Sequence, residues 1–292
     1  MNMNANNKDI MLSVRLVTYN QENFISSALE GALMQRTNFP FEIVVGDDCS
    51  TDGTPAIIES YRSKNERLIR VLPNESNLGA KHNAIRTLRA CTGKYIAHLD
   101  GDDYWTDPYK LQQQVEILEA NPGIACCFHN MEVRYEDPTV PSKLYCSNLG
   151  KQVLTRYDLA KNNFIPSSGN VFRKGLVPQH PDWFYLLPFG DWALHLLNAQ
   201  HGDIYYLPKV MGVYRKHASG LWTSNTPEKE TEIRLKFLDI VIENYRDDPA
   251  LLKILKQSRK KYSKFPGRQG KRKSSLKNRI IDILIRYLKK LK

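Results

Sequence analysis

Through the first half of the chain, short apolar runs rich in β-branched residues alternate with longer segments of helical periodicity. The runs over 12–17, 41–46, 69–72, 95–99 and 124–128 predict strands, and the stretches 24–35, 55–63, 80–90 and 108–120 predict helices. This alternation predicts an α/β fold, a mostly parallel Rossmann-like sheet with crossover helices on both faces. Ligands of such sheets gather beyond the carboxyl ends of the strands. Three polar segments fall there: "VTYN" after the first strand, "GDDCSTDGT" after the second and "LDGDD" after the fourth.

The second half is less regular. "YEDPTVPSK" reads as a proline-containing excursion, "IPSSGNVFRK" as a turn into a strand, and "FGDWALHLLNAQHG" as a helix closed by Gly202. The pattern is helical again over 227–264. "FPGRQGKRKSS" then reads as a linker, and 276–292 as a last helix.

Charge changes the picture because it is unevenly spread. The net charge is +11, but Lys253 to Lys292 holds 16 Lys and Arg against one acid, Asp282. That stretch carries +15 and leaves −4 on the rest. An argument for a nucleic-acid partner therefore rests on the tail alone. In "LKNRIIDILIRYLKKLK" the apolar residues Leu276, Ile280, Leu284, Tyr287, Leu288 and Leu291 share one helical face, with lysines and arginines on the remainder. That is the pattern of a helix lying on an anionic membrane surface; a nucleic-acid tail or a helix packed on a protein partner are the competing readings. A stripe this wide favours the membrane and argues against nucleic acid. No apolar stretch has membrane-spanning length, and the polar start lacks a secretory signal. The expectation is a cytoplasmic protein, peripheral on the inner face of the cell membrane. Five cysteines without a CxxC pair predict reduced, mostly buried thiols.

The candidate chemistry begins with an absence. "VTYNQENF" contains no glycine, which argues against a GxGxxG dinucleotide site, a P-loop and the glycine-rich opening of a sugar nucleotidylyltransferase. In "GDDCSTDGT", Asp47 and Asp48 stand at a strand end, where a carboxylate could accept the N3 hydrogen of uracil or thymine. An Asx turn feeding a helix cap, with Ser50, Thr51 and Asp52, is the alternative. In "LDGDD", Asp100, Asp102 and Asp103 put three carboxylates within four positions. Such charges repel and lose solvation together, so a bound cation is the usual compensation, against the plainer reading of a solvated capping loop.

"VTYN", "GDDCSTDGT", "NLGAKHNAI" and "TGKYIAHLDGDD", in this order, resemble the nucleotide-binding half of the family 2 inverting glycosyltransferases, which have the GT-A fold. The resemblance continues through "FGDWALHLLNAQHGDIYYLPKVMGVYRKHASGLW", similar to the acceptor half of bacterial polysaccharide and O-antigen glycosyltransferases. It covers 11–222 and implies a GT-A catalytic domain over 1–222, with a nucleotide-binding half over 11–130 and an acceptor half over 131–222. A helical extension over 223–265 and a basic linker and amphipathic helix over 266–292 complete the expected organisation.

The resemblance implies Asp102 as ligand of Mn²⁺ or Mg²⁺, with Asp100 on the ribose or reaching the metal through water. It leaves Asp103 either behind these residues or capping the next segment. It implies Asp191 as the base, with Gly190 where many members carry Glu; the alternative is that Asp191 only caps the helix beginning at Trp192. Thr18, Tyr19, Asn20, Asp47, Asp48, Lys81, Asp100 and Arg215 are the implied nucleotide contacts, and His217 would touch metal or phosphate. Trp192, Trp183, Phe184 and Tyr185 surround the base position, as an acceptor platform or as core. His98 reads as core and His195 as lying on a helix face. The implied reaction moves a sugar from a nucleotide donor, with a uridine-linked donor expected, to a glycan or lipid-linked acceptor. Two readings compete. A haloacid-dehalogenase-type phosphotransferase also places DxD after a strand, but wants Thr or Val where this chain has Tyr104. A non-catalytic basic binding protein would need the tail and not Asp102.

Overall fold

The computed structural model describes residues 10–220 and 222–264. Among these, ten strands join in one sheet: β1 (Leu12–Thr18), β2 (Phe41–Asp47), β3 (Ile69–Val71), β4 (Tyr95–Asp100), β5 (Tyr104–Trp105), β6 (Ile124–Tyr135), β7 (Lys143–Leu144), β8 (Val153–Leu154), β9 (Asn170–Arg173) and β10 (Asp203–Lys216). The order is β3-β2-β1-β4-β9-β6-β10-β5, with β7 on β6 and β8 on β10. The first four pair in parallel. β9 inserts antiparallel between β4 and β6, so β6 and its parallel neighbour β10 again point the same way as β4. The helices are α1 (Ile25–Leu33), α2 (Thr54–Arg62), α3 (Ala80–Ala90), α4 (Lys110–Ala120), α5 (Arg156–Leu159), α6 (Asp191–Asn198), α7 (Pro227–Asn244) and α8 (Pro249–Ser263).

The strands form where β-branched runs can be buried on both faces: in β1 only Val17 is not fully buried, as expected of a central strand covered on each side. Leu12, Val14 and Leu16 pack with Ile43, Val45, Ala97, Leu99 and Val171 in the main core. Ser13, Arg15 and Val17 occupy the other face by the two-residue period of the strand.

Two expectations need correction. The strand predicted over 124–128 continues to Tyr135, because "HNMEVRY" pairs with β10 in a ladder that reaches Lys216; His129 and Asn130, polar letters that read as a strand end, are buried within it. The helix starting at Asp191 ends at Asn198 with Ala199 as its cap, not at Gly202. Gly202 instead lies against the chain before β6, where an added Cβ would sit 2.5 Å from the Gly123 carbonyl oxygen.

Contacts divide the chain into two compact units, residues 10–179 with 190–224 and residues 180–189 with 225–264. In the second, Thr226 and Asp248 cap α7 and α8 by accepting from the amides of Lys229 and Leu251, each followed by proline at the first helical position. Phe189 stacks on Phe237, and Asp239 pairs with Arg259. The predicted linker and the stretch 276–292 lie outside the described residues. No described helix is long and apolar enough to cross a membrane.

α3 approaches β2 closely at Gly46, where a Cβ would meet Thr87 Oγ1 at 1.9 Å and Asn83 Oδ1 at 2.9 Å. We expect Gly46→Ala to lower unfolding stability by about 1–3 kcal/mol, read as a shifted urea midpoint. Gly123→Ala, with nothing within 4 Å of the new methyl, should stay within about 0.5 kcal/mol.

Candidate active site

The polar segments after β1 and β2 are tied into one surface. Asn20, at φ 50°, donates its amide to Ser50 Oγ at 2.8 Å and accepts from the Thr51 amide at 2.8 Å. Gln21 donates its amide to Thr54 Oγ1, and Glu22 its own to Asp52. Thr18 is buried and donates to Gln21, leaving Tyr19 exposed between the loops at 46%. Asp47 accepts from the amide and hydroxyl of Ser50. Asp48 is nearly buried and accepts from the Leu78 amide at 2.8 Å and from Asn74. Asp48 therefore fastens the segment before α3, which reduces its availability for direct nucleotide contact. Lys81 stands in the first turn of α3.

The turn after β4 is held from several sides. Gly101 is required there by close approach: a Cβ would fall 2.4 Å from Gln21 Oε1 and 2.8 Å from Thr18 Oγ1. Ser168 Oγ accepts from the Asp100 amide at 3.1 Å and donates to Asp103 Oδ2 at 2.7 Å, while the Ser168 carbonyl accepts from the Trp105 indole at 2.7 Å. From β10, the Arg215 amide donates to Asp103 Oδ1 at 3.0 Å. The Arg215 guanidinium donates to the Asp102 carbonyl and to Ser27 Oγ, both at 3.0 Å, and lies 4.3 Å from the centre of the Tyr104 ring. Arg215, implied as a nucleotide contact, is thus largely committed to bracing this turn against α1.

The three carboxylates are made unlike. Asp103 is buried, and burial together with Asp102 and Asp100 pushes its pKa well above the ordinary value. Asp100 is pushed up to about 6, by burial first, against the pull of Arg15 and with Asp102 adding to the rise. Arg15, buried on β1, stands 3.8 Å from Asp100; burial lowers its own pKa, and Asp100 and Asp191 counter that. Asp102 turns toward His217, whose Nε2 lies 3.2 Å from Asp102 Oδ2 while Nδ1 meets Ser219 Oγ at 2.9 Å. His217 is only 4% exposed and sits against the Phe24 ring.

No group of three or more His, Cys, Asp or Glu suited to a metal occurs among the described residues. Mg²⁺ and Mn²⁺ take few protein ligands and complete their octahedra with phosphate and water oxygens. The carboxylate of Asp102 and the imidazole of His217, converging on one point, match that demand.

Asp191 opens α6, where the helix N-terminus favours negative charge, and accepts from Asn163 Nδ2 at 3.2 Å. It acts electrostatically on both Arg15 and Asp100, so the structure brings it to the same end of the sheet. Trp192 is fully buried with its indole donating to the Leu159 carbonyl; it is core, not an acceptor platform. His98 and His195 are fully buried. Cys49 is half-buried and the other four cysteines are buried and free.

Sequence reasoning missed Arg15, Asn163 and Ser168. Arg15 carried a signal, a lone charge inside "LSVRLVT", which asks for a buried counter-charge. The other two had none, since small polar residues are common in turns.

The overlay on solved structures shows the GT-A fold. The crystal structure of TarS from Staphylococcus aureus in complex with UDP-GlcNAc matches at a TM-score of 0.65 and 24% identity, over 88% of this chain and 73% of that one. A mannosyltransferase from Pyrobaculum calidifontis in complex with GDP-Man and Mn²⁺ matches at 0.64 and 18%, over 87% and 70%. An uncharacterized protein of Mycobacterium tuberculosis is 35% identical over 271 residues, 89% of this chain and 77% of its own. The putative teichuronic acid biosynthesis glycosyltransferase TuaG of Bacillus subtilis is 32% identical over 155 residues, 53% and 59%. The profile of Glycosyl transferase family 2 matches residues 13–179, and the chain belongs to that family. Membership decides against the phosphotransferase and the non-catalytic readings.

A carboxyl whose folded pKa is raised binds its proton more tightly folded, so its contribution to stability is present at low pH and lost as pH rises through the folded value. For Asp100 the window runs from the ordinary 3.8 to about 6. In metal-free urea titrations, wild type should lose stability relative to Asp100→Asn as pH is raised from about 4 to about 7; taking the difference cancels the opposing contribution of the buried histidines. A difference that is flat with pH contradicts the assignment.

Proposed function

We propose that this glycosyltransferase works with inversion and with a divalent metal, moving a hexosyl group from a uridine-linked sugar nucleotide to a glycan or lipid-linked oligosaccharide in cell-surface polysaccharide synthesis. The observation that carries the reading is the grouping at the end of β4: Asp102 meets His217 at 3.2 Å, Asp100 lies 3.8 Å from Arg15, and Asp191 acts electrostatically on both Arg15 and Asp100. TarS, solved with UDP-GlcNAc, and TuaG, named for teichuronic acid synthesis, support the donor class and the pathway type; the Mn²⁺ in the mannosyltransferase supports the metal.

In this reading Asp102 and His217 hold the cation, whose chemistry is to neutralise charge developing on the leaving diphosphate. Tyr19, Thr18, Asn20 and Asp47 line the base pocket, with Lys81 beside the nucleotide. Asp100 faces the ribose or the metal's water. Asp191 accepts the acceptor hydroxyl proton as that oxygen bonds to the anomeric carbon and the bond to the diphosphate oxygen breaks on the opposite side. The basic tail places the enzyme at the cytoplasmic face of the membrane, where each engaged Lys or Arg contributes about 1 kcal/mol.

Calorimetric titration with UDP, dTDP, GDP and ADP, with Mn²⁺ or chelator, tests the donor side. We expect Mn²⁺-dependent UDP binding that Asp102→Ala weakens by about tenfold or more. Asp191→Asn should leave that binding within about twofold and lower turnover by about 10²–10⁴-fold. Binding of UDP indifferent to both metal and Asp102 overturns the metal assignment.

A further inference from the structure

Behind the reacting groups lies a row of buried polar side chains that the proposed chemistry does not use. Arg15 on β1 stands beside His98 on β4 in the parallel register. The antiparallel register of β4 with β9, which pairs Ala97 with Val171, brings Asn170 next across the sheet on the same face. From α6, His195 Nδ1 lies 3.3 Å from Asn170 Nδ2, and the charge of Arg15 is felt at both His98 and His195. These four residues are 0–6% exposed. Arg15 Nε, both ring nitrogens of His98, Asn170 Oδ1 and His195 Nε2 meet no protein partner.

Buried polar atoms in folded proteins are almost always hydrogen-bonded, and where protein supplies no partner ordered water does, typically through about three bonds each. Five such atoms in one row, holding both donors and an acceptor, make a site with the polar lining water requires. The row also has a definite position. His98 is two residues before Asp100, and His195 is one helical turn after Asp191, so water bridging the two histidines would join the strand that carries one carboxylate to the helix that carries the other.

We propose that Arg15, His98, Asn170 and His195 enclose a cluster of ordered waters that ties β4 to α6 and sets the spacing between Asp100 and Asp191. The functional half of this inference rests on Asp191 being the base; the water site does not. His98 and His195 act as positioning residues. Apolar side chains of similar size would fill the row and pack, which is what this face of a sheet ordinarily holds; polar groups here trade that packing for a fixed, hydrogen-bonded geometry.

The test uses the full chain. A crystal structure at a resolution that shows internal waters elsewhere should show density bridging these side chains. His98→Leu and His195→Leu should then lower kcat by about ten- to a hundredfold, with KM for the sugar nucleotide and Kd for UDP with Mn²⁺ within about twofold. His195→Gln, which can still bond to water, should recover most of the loss and also serves if the leucine variants fail to fold. Absence of bridging water, or leucine variants with wild-type kcat, overturns the proposal. Asp191→Asn is the control: full turnover there removes the base assignment and leaves the water site to stand on its density.

Discussion

Mutual repulsion among Asp100, Asp102 and Asp103 is the constraint around which the carboxyl end of β4 is organised. Two unit charges about 4 Å apart at an effective dielectric near 20 repel by about 4 kcal/mol, comparable to a large part of a domain's stability. The protein meets this by giving identical side chains different environments. Asp103 is withdrawn from water and shared between the Ser168 hydroxyl and the Arg215 amide. Asp100 is backed by the buried cation of Arg15. Asp102 is turned to the buried imidazole of His217.

Holding the turn this way recruits distant parts of the chain. Ser168 lies just before the antiparallel strand β9, and Arg215 near the end of the 14-residue β10. Their bonds tie the chain leading into β9 and the end of β10 to this turn. The guanidinium of Arg215 also reaches Ser27 on α1, so the helix after the first nucleotide-side loop is fixed to the same turn. The turn after β4, β10 and α1 are therefore joined through one side chain.

The sheet was readable because its strands are buried on both faces, and burial writes itself as runs of Val, Ile and Leu. The sequence reads β6 as ending at His129 and Asn130 because a local reading expects such side chains in water, whereas both are buried, His129 Nδ1 at the Asn130 carbonyl and Asn130 at Cys146. Candidate carboxylates were legible by their spacing. Their division of labour was not, since it is set by Arg15, Ser168 and Arg215, up to 112 positions away from the residues they hold. The bracing by Arg215 had no sequence signal, since a cation that holds a loop is spelled like any other.

The donor side also differs in kind from the regions that would receive the acceptor. The loops after β1 and β2 are joined by the backbone and side-chain bonds of Asn20, Gln21 and Glu22 to Ser50, Thr51, Asp52, Gly53 and Thr54. Loops held this way lose little conformational entropy on meeting any ligand. Residues 136–144 are, by contrast, largely exposed and attached to the sheet by the two-residue strand β7. Few contacts hold that segment, so its sequence can change without disturbing the braced turn. Variation after β6 is in this way uncoupled from the hydrogen bonds that hold the loops after β1, β2 and β4.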